Sequence, residues 1–247
     1  MGNHLGVERG SDRKQNTELA HKVFLILNEG QLHRAPLVEP KVALDLGCGS
    51  GIWALEFDRN PTNFKFVQGD IEKAWDWLPA RPVDFLTIRG LFGILDNWTE
   101  LFRKAMSCLA PGGWIEVADV CYMTTSDDGS LDNAKGLLRF DAMYRKALNQ
   151  MNPNLGTLSS LYEKMVDAGF QSCAVTKRKI PVSDMSTDPE LNEISKYSLE
   201  IHEMDTAIIS ERALQPILNL STKEVETVLA DALRDMRNKN IHAYRYG

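Results

Sequence analysis

Apolar and polar positions along this chain fall into two periods, and the periods take turns. Residues 16–28, "NTELAHKVFLILN", repeat apolar side chains at helical spacing, with Asn16 or Thr17 as the cap and Gly30 as the stop. "KVALDLG" is a short, almost wholly apolar run, the pattern of a strand buried on both faces of a parallel sheet. "GIWALEFDRN" reads as a helix stopped by Pro61, and "NFKFVQG" as a strand. "VDFLTIRG" is a further strand, "WTELFRKAMSCLA" a helix closed by a Pro-Gly-Gly turn, and "GWIEVADV" the next strand. Strand and helix alternating in this way predict an α/β fold, a parallel sheet with helices on both faces.

Beyond Val120 the pattern turns mostly helical. "LDNAKGLLRFDAMYRKALNQM" and "TLSSLYEKMVDAGF" are helices, and "QSCAVTKRKIPV" is a late strand. A long helical stretch follows, whose last helix opens on a capping box made by Ser221 and Glu224. The terminal "IHAYRYG" alternates like a final strand. These helices are too polar to build a second core. The expected organisation is a disordered stretch over 1–15 and one domain over 16–247. Within it lie a core at 40–125, a helical cap at about 127–165, a late strand at 171–182, a helical insertion at 188–238 and a short final strand at 241–246.

Composition narrows the function classes. The chain has 247 residues, 43% of them hydrophobic, enough for one full core. Its net charge of −6 argues against a general nucleic-acid binder, whose footprint would be basic. The basic run Lys177–Lys179 reads as a solvated strand edge rather than a phosphate patch. Cys48, Cys108, Cys121 and Cys173 are scattered, with no C-x-x-C pair, which fits reduced thiols and gives no metal site. The start is polar and lacks the apolar core of a signal peptide, and "VFLIL" is too short to cross a bilayer. A soluble protein with no membrane partner is expected, in the cytoplasm or the nucleus.

The chemistry concentrates in "LDLGCGSGIW", a strand running through glycines into a helix. Gly47, Gly49 and Gly51 allow a tight turn and close approach of a ligand. The spacing is G-x-G-x-G; Ile52 stands where the dinucleotide fingerprint needs glycine. The phosphate loop and the nucleophile elbow are absent as well. Asp45, two residues before the first glycine, would repel a pyrophosphate but attract an ammonium group.

"LDLGCGSG" resembles motif I of class I S-adenosylmethionine-dependent methyltransferases. "ELAHKVFLILNEGQLHRAP", "FLTIRGLFGILDNWTELFRKAMSCLAPGGWIEVAD" and "STKEVETVLADALRDMRNKNIHAY" are similar to the LaeA-like branch of fungal secondary metabolism. The resemblance runs from about Glu18 to Tyr244. It implies a Rossmann-like sheet and S-adenosylmethionine as cofactor, with Asp45 on the methionine amine. Gly47, Cys48, Gly49 and Gly51 would lie beneath the methionine and ribose. Arg89 would stand near the methyl group or pair with an acid on a neighbouring helix. His21 and His33 are weak candidates for a base, Tyr144 and His202 weaker ones, and Trp75 with Trp77 would wall a cavity or pack beside a strand.

Two features depart from the family pattern. Between Gly51 and "VDFLTIR" there is room for one strand where the family has two, so one strand–helix unit is expected to be missing. By its flanks "KFVQGDIEKAWDW" resembles the adenine strand, with Asp70 and Ile71 beside the base. By distance Asp70, 19 residues past Gly51, stands where a ribose acid belongs. We expect "FKFV" to lie beside "VALDL" with Asp70 toward the ribose. The terminal strand is also shorter than the family's. Three readings follow. The first is a methyltransferase acting on a small-molecule substrate. The second is a methyltransferase fold without methyl transfer, serving as a cyclase or auxiliary factor. The third is a regulatory partner of other proteins.

Overall fold

Val83, Phe85, Leu86 and Ile88 are wholly buried, and they mark the central strand of a three-stranded parallel sheet. A computed structural model describes residues 10–58, 63, 65–78, 81–153, 155–183 and 188–247. In it β1 (Ala43–Leu46), β2 (Val83–Arg89) and β3 (Leu109–Ala118) are ordered β1-β2-β3. The strand period of two sends successive β2 residues to opposite faces. Leu86 and Ile88 pack with Trp98, Leu101 and Phe102 of α3 (Trp98–Cys108). Phe85, on the other face, meets Trp53 of α2 (Ile52–Phe57) and Ala35. The α3 helix starts where the Asn97 side chain accepts the Glu100 N–H at 3.0 Å.

The remaining strands form a second, antiparallel sheet rather than extending the first by simple parallel pairing. Its order is β4 (Thr125–Ser126), β6 (Ala243–Tyr246), β5 (Lys179–Pro181). A hydrogen bond from the Cys121 N–H to the Tyr246 carbonyl, 2.7 Å, joins the end of β3 to β6. The late strand expected over 171–182 is therefore confined to three residues. The basic run is a solvated edge as read: Arg178 pairs with Glu190 at 3.2 Å, and Lys179 pairs with Asp127.

Helices close the molecule. The first, α1 (Gly10–Leu27), begins six residues before the expected start, so Asn16 is inside the helix and not its cap. The expected disorder over 1–15 is thus replaced by helix from Gly10, and residues 1–9 lie outside the described ones. Next come α4 (Lys135–Met151), α5 (Ser160–Asp167) and α6 (Pro189–Ile209). A π turn at Ser210–Leu214 leads from α6 into α7 (Gln215–Leu218), and α8 (Thr222–Met236) follows. Ser221 and Glu224 make the capping box of α8 as the sequence predicts. Asp235 of α8 accepts the N–H groups of Gly136 and Leu137 at 2.7 and 3.1 Å, capping α4 from a neighbouring helix. Gly136 is required there, since a Cβ would lie 2.5 Å from the Asp231 backbone.

The largest correction concerns "FKFV". Residues 65–70 are irregular and exposed, and β1 is paired with β2 alone among the described residues. Phe66 is 62% and Val67 42% exposed. A parallel strand needs helices over both faces. No α-helix is present among the described residues between Phe57 and Val83, so neither side chain has a helical layer to bury into.

Candidate active site

β1 delivers Asp45 to the end of the sheet and gives way to a turn that only glycine tolerates. Gly47, Gly49 and Gly51 take φ values of 71°, 55° and 77°. Their surroundings leave no room for a side chain either. A Cβ would come within 2.8 Å of Leu91 at Gly47, 3.0 Å of Thr17 at Gly49 and 2.7 Å of Phe66 at Gly51. Three elements thus close on the loop: the segment after β2, helix α1, and the irregular stretch that carries Phe66.

Asp45 pairs in register with Thr87 of β2, and its side chain is only 5% exposed. Its Oδ2 has no hydrogen-bond partner, and the nearest cation, Arg89 Nη2, stands 3.8 Å away, beyond hydrogen-bond reach. Burial pushes the carboxyl up to about 6, against the pull of Arg89. The Ser50 hydroxyl in the same loop is also buried and unpartnered. Burial, then the neighbouring Asp45, raises the Cys48 thiol. A buried carboxylate oxygen without a donor is costly unless a ligand supplies one, and the ligand it suits carries a cationic N–H group.

Arg89 ends β2 and links Asp45 to α1. Its Nη1 donates to His21 Nδ1 at 3.1 Å, its Nε is unpartnered, and its guanidinium lies 5.7 Å from the Trp53 ring centre. An arginine can only donate, so His21 Nδ1 accepts, and the proton on Nε2 goes to Glu56 at 3.0 Å. Burial draws the Arg89 pKa down, opposed first by Asp45 and then by Glu116. Of the two readings of Arg89, the geometry places it against an acid, although that acid is Asp45 of the adjacent strand. The cavity lined by His21, Trp53, Arg89 and Glu116 is about 10 Å³, enough for one water.

The other expected residues lie elsewhere. Asp70 accepts the Glu72 N–H at 3.0 Å and pairs with Lys73 at 3.2 Å, both in its own exposed turn. Ile71 packs with Trp75 and Trp77 against the α3 core, and Trp75 Nε1 donates to the Ile71 carbonyl. His33 bonds the Ala35 carbonyl and packs on Phe57 and Phe85. His202 is buried beside Arg245, which, after burial itself, holds its pKa well below the usual range.

A second buried polar group escaped the reading of the sequence. Asp119 follows β3 directly and accepts the N–H groups of Phe92 and Val120 at 2.7 and 2.8 Å. Burial lifts its carboxyl to about 6, offset by those backbone bonds. Asp205 of α6 accepts from Asn16 at 2.7 Å, and its pKa too is raised by burial. The available signal was the run Ser195, Ser198, His202 and Thr206, a polar stripe at helical spacing that turns out to be buried.

Comparison with known proteins assigns this architecture. Residues 18–174 match a family model described as a methyltransferase domain. The chain is 44% identical over 256 positions to methyltransferase cpsF of Aspergillus campestris, covering 92% of this chain and 90% of that protein. It is 26% identical over 248 positions to methyltransferase pytC of Aspergillus terreus, covering 92% and 76%. Over 252 positions it is 24% identical to laeA of Emericella nidulans, named both a protein-methionine methyltransferase and a secondary metabolism regulator, covering 92% and 66%. The match to cpsF spans 256 positions but uses 92% of 247 residues, about 227, so about 29 positions have no counterpart here. A parallel sheet ending in a glycine loop beneath an unpaired buried carboxylate, with these relatives, identifies the chain as a member of the methyltransferase domain family and an enzyme of that class.

Proposed function

We propose that the chain transfers a methyl group from S-adenosylmethionine to a small molecule in a secondary-metabolite pathway. The observation that carries this reading is Asp45, buried at the foot of the glycine loop with an oxygen that has no protein donor. The amino-acid end of the cofactor offers the missing partner, an ammonium group. Ser50 and the loop backbone lie beside it, and the unpartnered Arg89 Nε supplies a cationic donor for a carboxylate. When bound, the sulfonium supplies a methyl group already activated for transfer. The chain's own tasks are then to orient both partners, exclude water and take up a proton. Helix α1 serves exclusion, since Thr17 touches the loop and His21 ties the helix to Arg89 and Glu56. Asp70, four residues beyond Phe66, is the acid we assign to the ribose.

Titration calorimetry with S-adenosylhomocysteine tests the reading. Binding on the order of micromolar is expected, and Asp45→Ala should abolish it. No heat at millimolar ligand in the wild-type protein would overturn the assignment.

A further inference from the structure

Arg89 and Asp45 carry opposite charges and are both largely buried, yet they do not meet. Their nearest atoms, Nη2 and Oδ2, stand 3.8 Å apart, and Oδ2 has no hydrogen-bond partner among the described residues. A charge-assisted bond between them would be roughly twice as strong as one to a neutral acceptor. Arg89 nevertheless directs Nη1 to a neutral acceptor, His21 Nδ1, at 3.1 Å. We propose that His21 is a positioning residue for the methyl donor: it holds Arg89 off Asp45 and so keeps Oδ2 open for an ammonium group.

His21 is itself fixed. It is buried on α1, and its Nε2 donates to Glu56 of α2 at 3.0 Å. That bond places the ring proton on Nε2 and leaves the lone pair of Nδ1 to Arg89. The guanidinium has two further anchors. One is Trp53, whose ring centre lies 5.7 Å away and whose indole N–H is pinned to the Leu32 carbonyl at 2.8 Å. The other is Glu116, which attracts Arg89 while accepting the N–H groups of Arg34 and Ala35 at 2.7 and 3.0 Å. Two buried atoms are left without partners, Asp45 Oδ2 and Arg89 Nε. They are the acceptor and the donor that the ammonium and carboxylate of an amino-acid end require.

Removing the Nδ1 acceptor leaves the guanidinium with its other anchors alone. It then closes the gap to Asp45, where burial strengthens the attraction between the two charges. A closed pair satisfies Oδ2 from within the protein, so an arriving ammonium must break that pair before it binds. His21 therefore acts through Arg89 and not on the ligand. Its effect on binding should vanish once Arg89 is gone, whereas a histidine that only packs α1 would matter equally with or without Arg89.

The proposal rests on the methyl-donor reading for its ligand, and one arm of its test needs no ligand. Calorimetry with S-adenosylhomocysteine compares His21→Leu, His21→Asn, Arg89→Met and the combined variant His21→Leu with Arg89→Met. His21→Leu should weaken binding about tenfold. His21→Asn carries an oxygen where Nδ1 stands, so it should recover all but about twofold of that loss. In the Arg89→Met background His21→Leu should weaken binding by less than about twofold further. The second arm is a carbon-detected NMR titration of the Asp45 carboxyl in the free protein. Closure of Arg89 onto Asp45 in His21→Leu should lower its midpoint by about one pH unit, and the Arg89→Met background should cancel that shift. The other titratable groups nearby are Cys48 beside Asp45, and Glu56 and Glu116 beside Arg89. His21→Ala, which adds no atoms, carries the same comparison should the leucine variant lose its cooperative melt. Equal losses with and without Arg89, or an asparagine variant as weak as the leucine one, would overturn the proposal. If S-adenosylhomocysteine binds none of these proteins while the Asp45 midpoint shifts as described, the methyl-donor reading falls and the positioning role stands.

Discussion

Two buried arginines of this molecule are served very differently. Arg245, 1% exposed, donates through Nη2 to Asp141 at 2.9 Å and through Nε to Thr124 at 3.2 Å, and it lies 5.6 Å from the Tyr122 ring centre. Arg89 donates to His21, leaves Nε unpartnered and stands 3.8 Å from Asp45. The first guanidinium is a finished structural joint between β6, α4 and the segment after β3. The second is an unfinished one, and its loose ends, together with Asp45 Oδ2, surround the glycine loop. Incomplete pairing of costly buried groups separates the residues around the glycine loop from those that only hold the fold together.

The comparison predicts its largest effect on stability. Arg245→Met strands Asp141 in a mostly buried position and should lower unfolding free energy by about 3–5 kcal/mol, read from urea denaturation. Arg89→Met should have a much smaller effect, because Asp45 with a pKa near 6 can take up a proton at little expense. Equal losses in the two variants would erase the distinction.

Asp45→Asn comes next and should separate binding from stability. Loss of the charge should weaken S-adenosylhomocysteine by about a hundredfold or more. The same change removes a buried charge that opposes folding at neutral pH. A rise from 3.8 to about 6 corresponds to about 3 kcal/mol as an upper bound. Melting temperature should therefore rise as affinity falls. A variant that loses both would make Asp45 a structural residue.

Titration carries the same opposition in milder form. The folded chain holds the Asp45 proton more tightly than the unfolded chain. This contribution to stability is fully present below pH 3.8 and is lost as pH rises through about 6. Asp119, also near 6, adds to the same window. Binding of an ammonium runs the other way, because it needs the carboxylate. Affinity should fall by up to about tenfold per unit below pH 6 while the wild-type protein grows more resistant to heat. The groups around Asp45 are Arg89 and Cys48, with Glu56 and Glu116 next to Arg89. In Asp45→Asn the pH dependence of stability should shrink toward the share of the other buried acids, Asp119 and Asp205.

The unequal legibility of these regions has a physical cause. β1, β2, the glycine turn, α3 and the α8 capping box are local patterns, and each appears where its residues predict it. "FKFV" also has the pattern of a strand, but pattern alone does not supply the second helical layer that buries one. The buried acids Asp119 and Asp205 were hidden for a different reason. Asn16 meets Asp205 across 189 residues and Phe92 meets Asp119 across 27, so neither contact leaves a spacing to read. Only the stripe of serine, histidine and threonine on α6 hinted that this helix buries polar groups.

Asp70 gives the smallest effect and the finest test of the contrast between the two ends of the ligand site. Unlike Asp45 it is exposed, and its pKa is lowered first by the Glu72 N–H and then by Lys73. To reach a ribose it must give up bonds within its own turn, so its gain is a difference between two similar interactions. Asp70→Asn should therefore weaken S-adenosylhomocysteine by tenfold at most, about 1.4 kcal/mol. Adenosine, which lacks the amino-acid tail, should lose the same factor, whereas Asp45→Asn should leave adenosine binding untouched. Equal affinity of Asp70→Asn and wild type for both ligands would confine Asp70 to its turn. The chain would then hold its methyl donor by the amino-acid end, where Asp45 and the glycine loop stand, with Phe66 against Gly51.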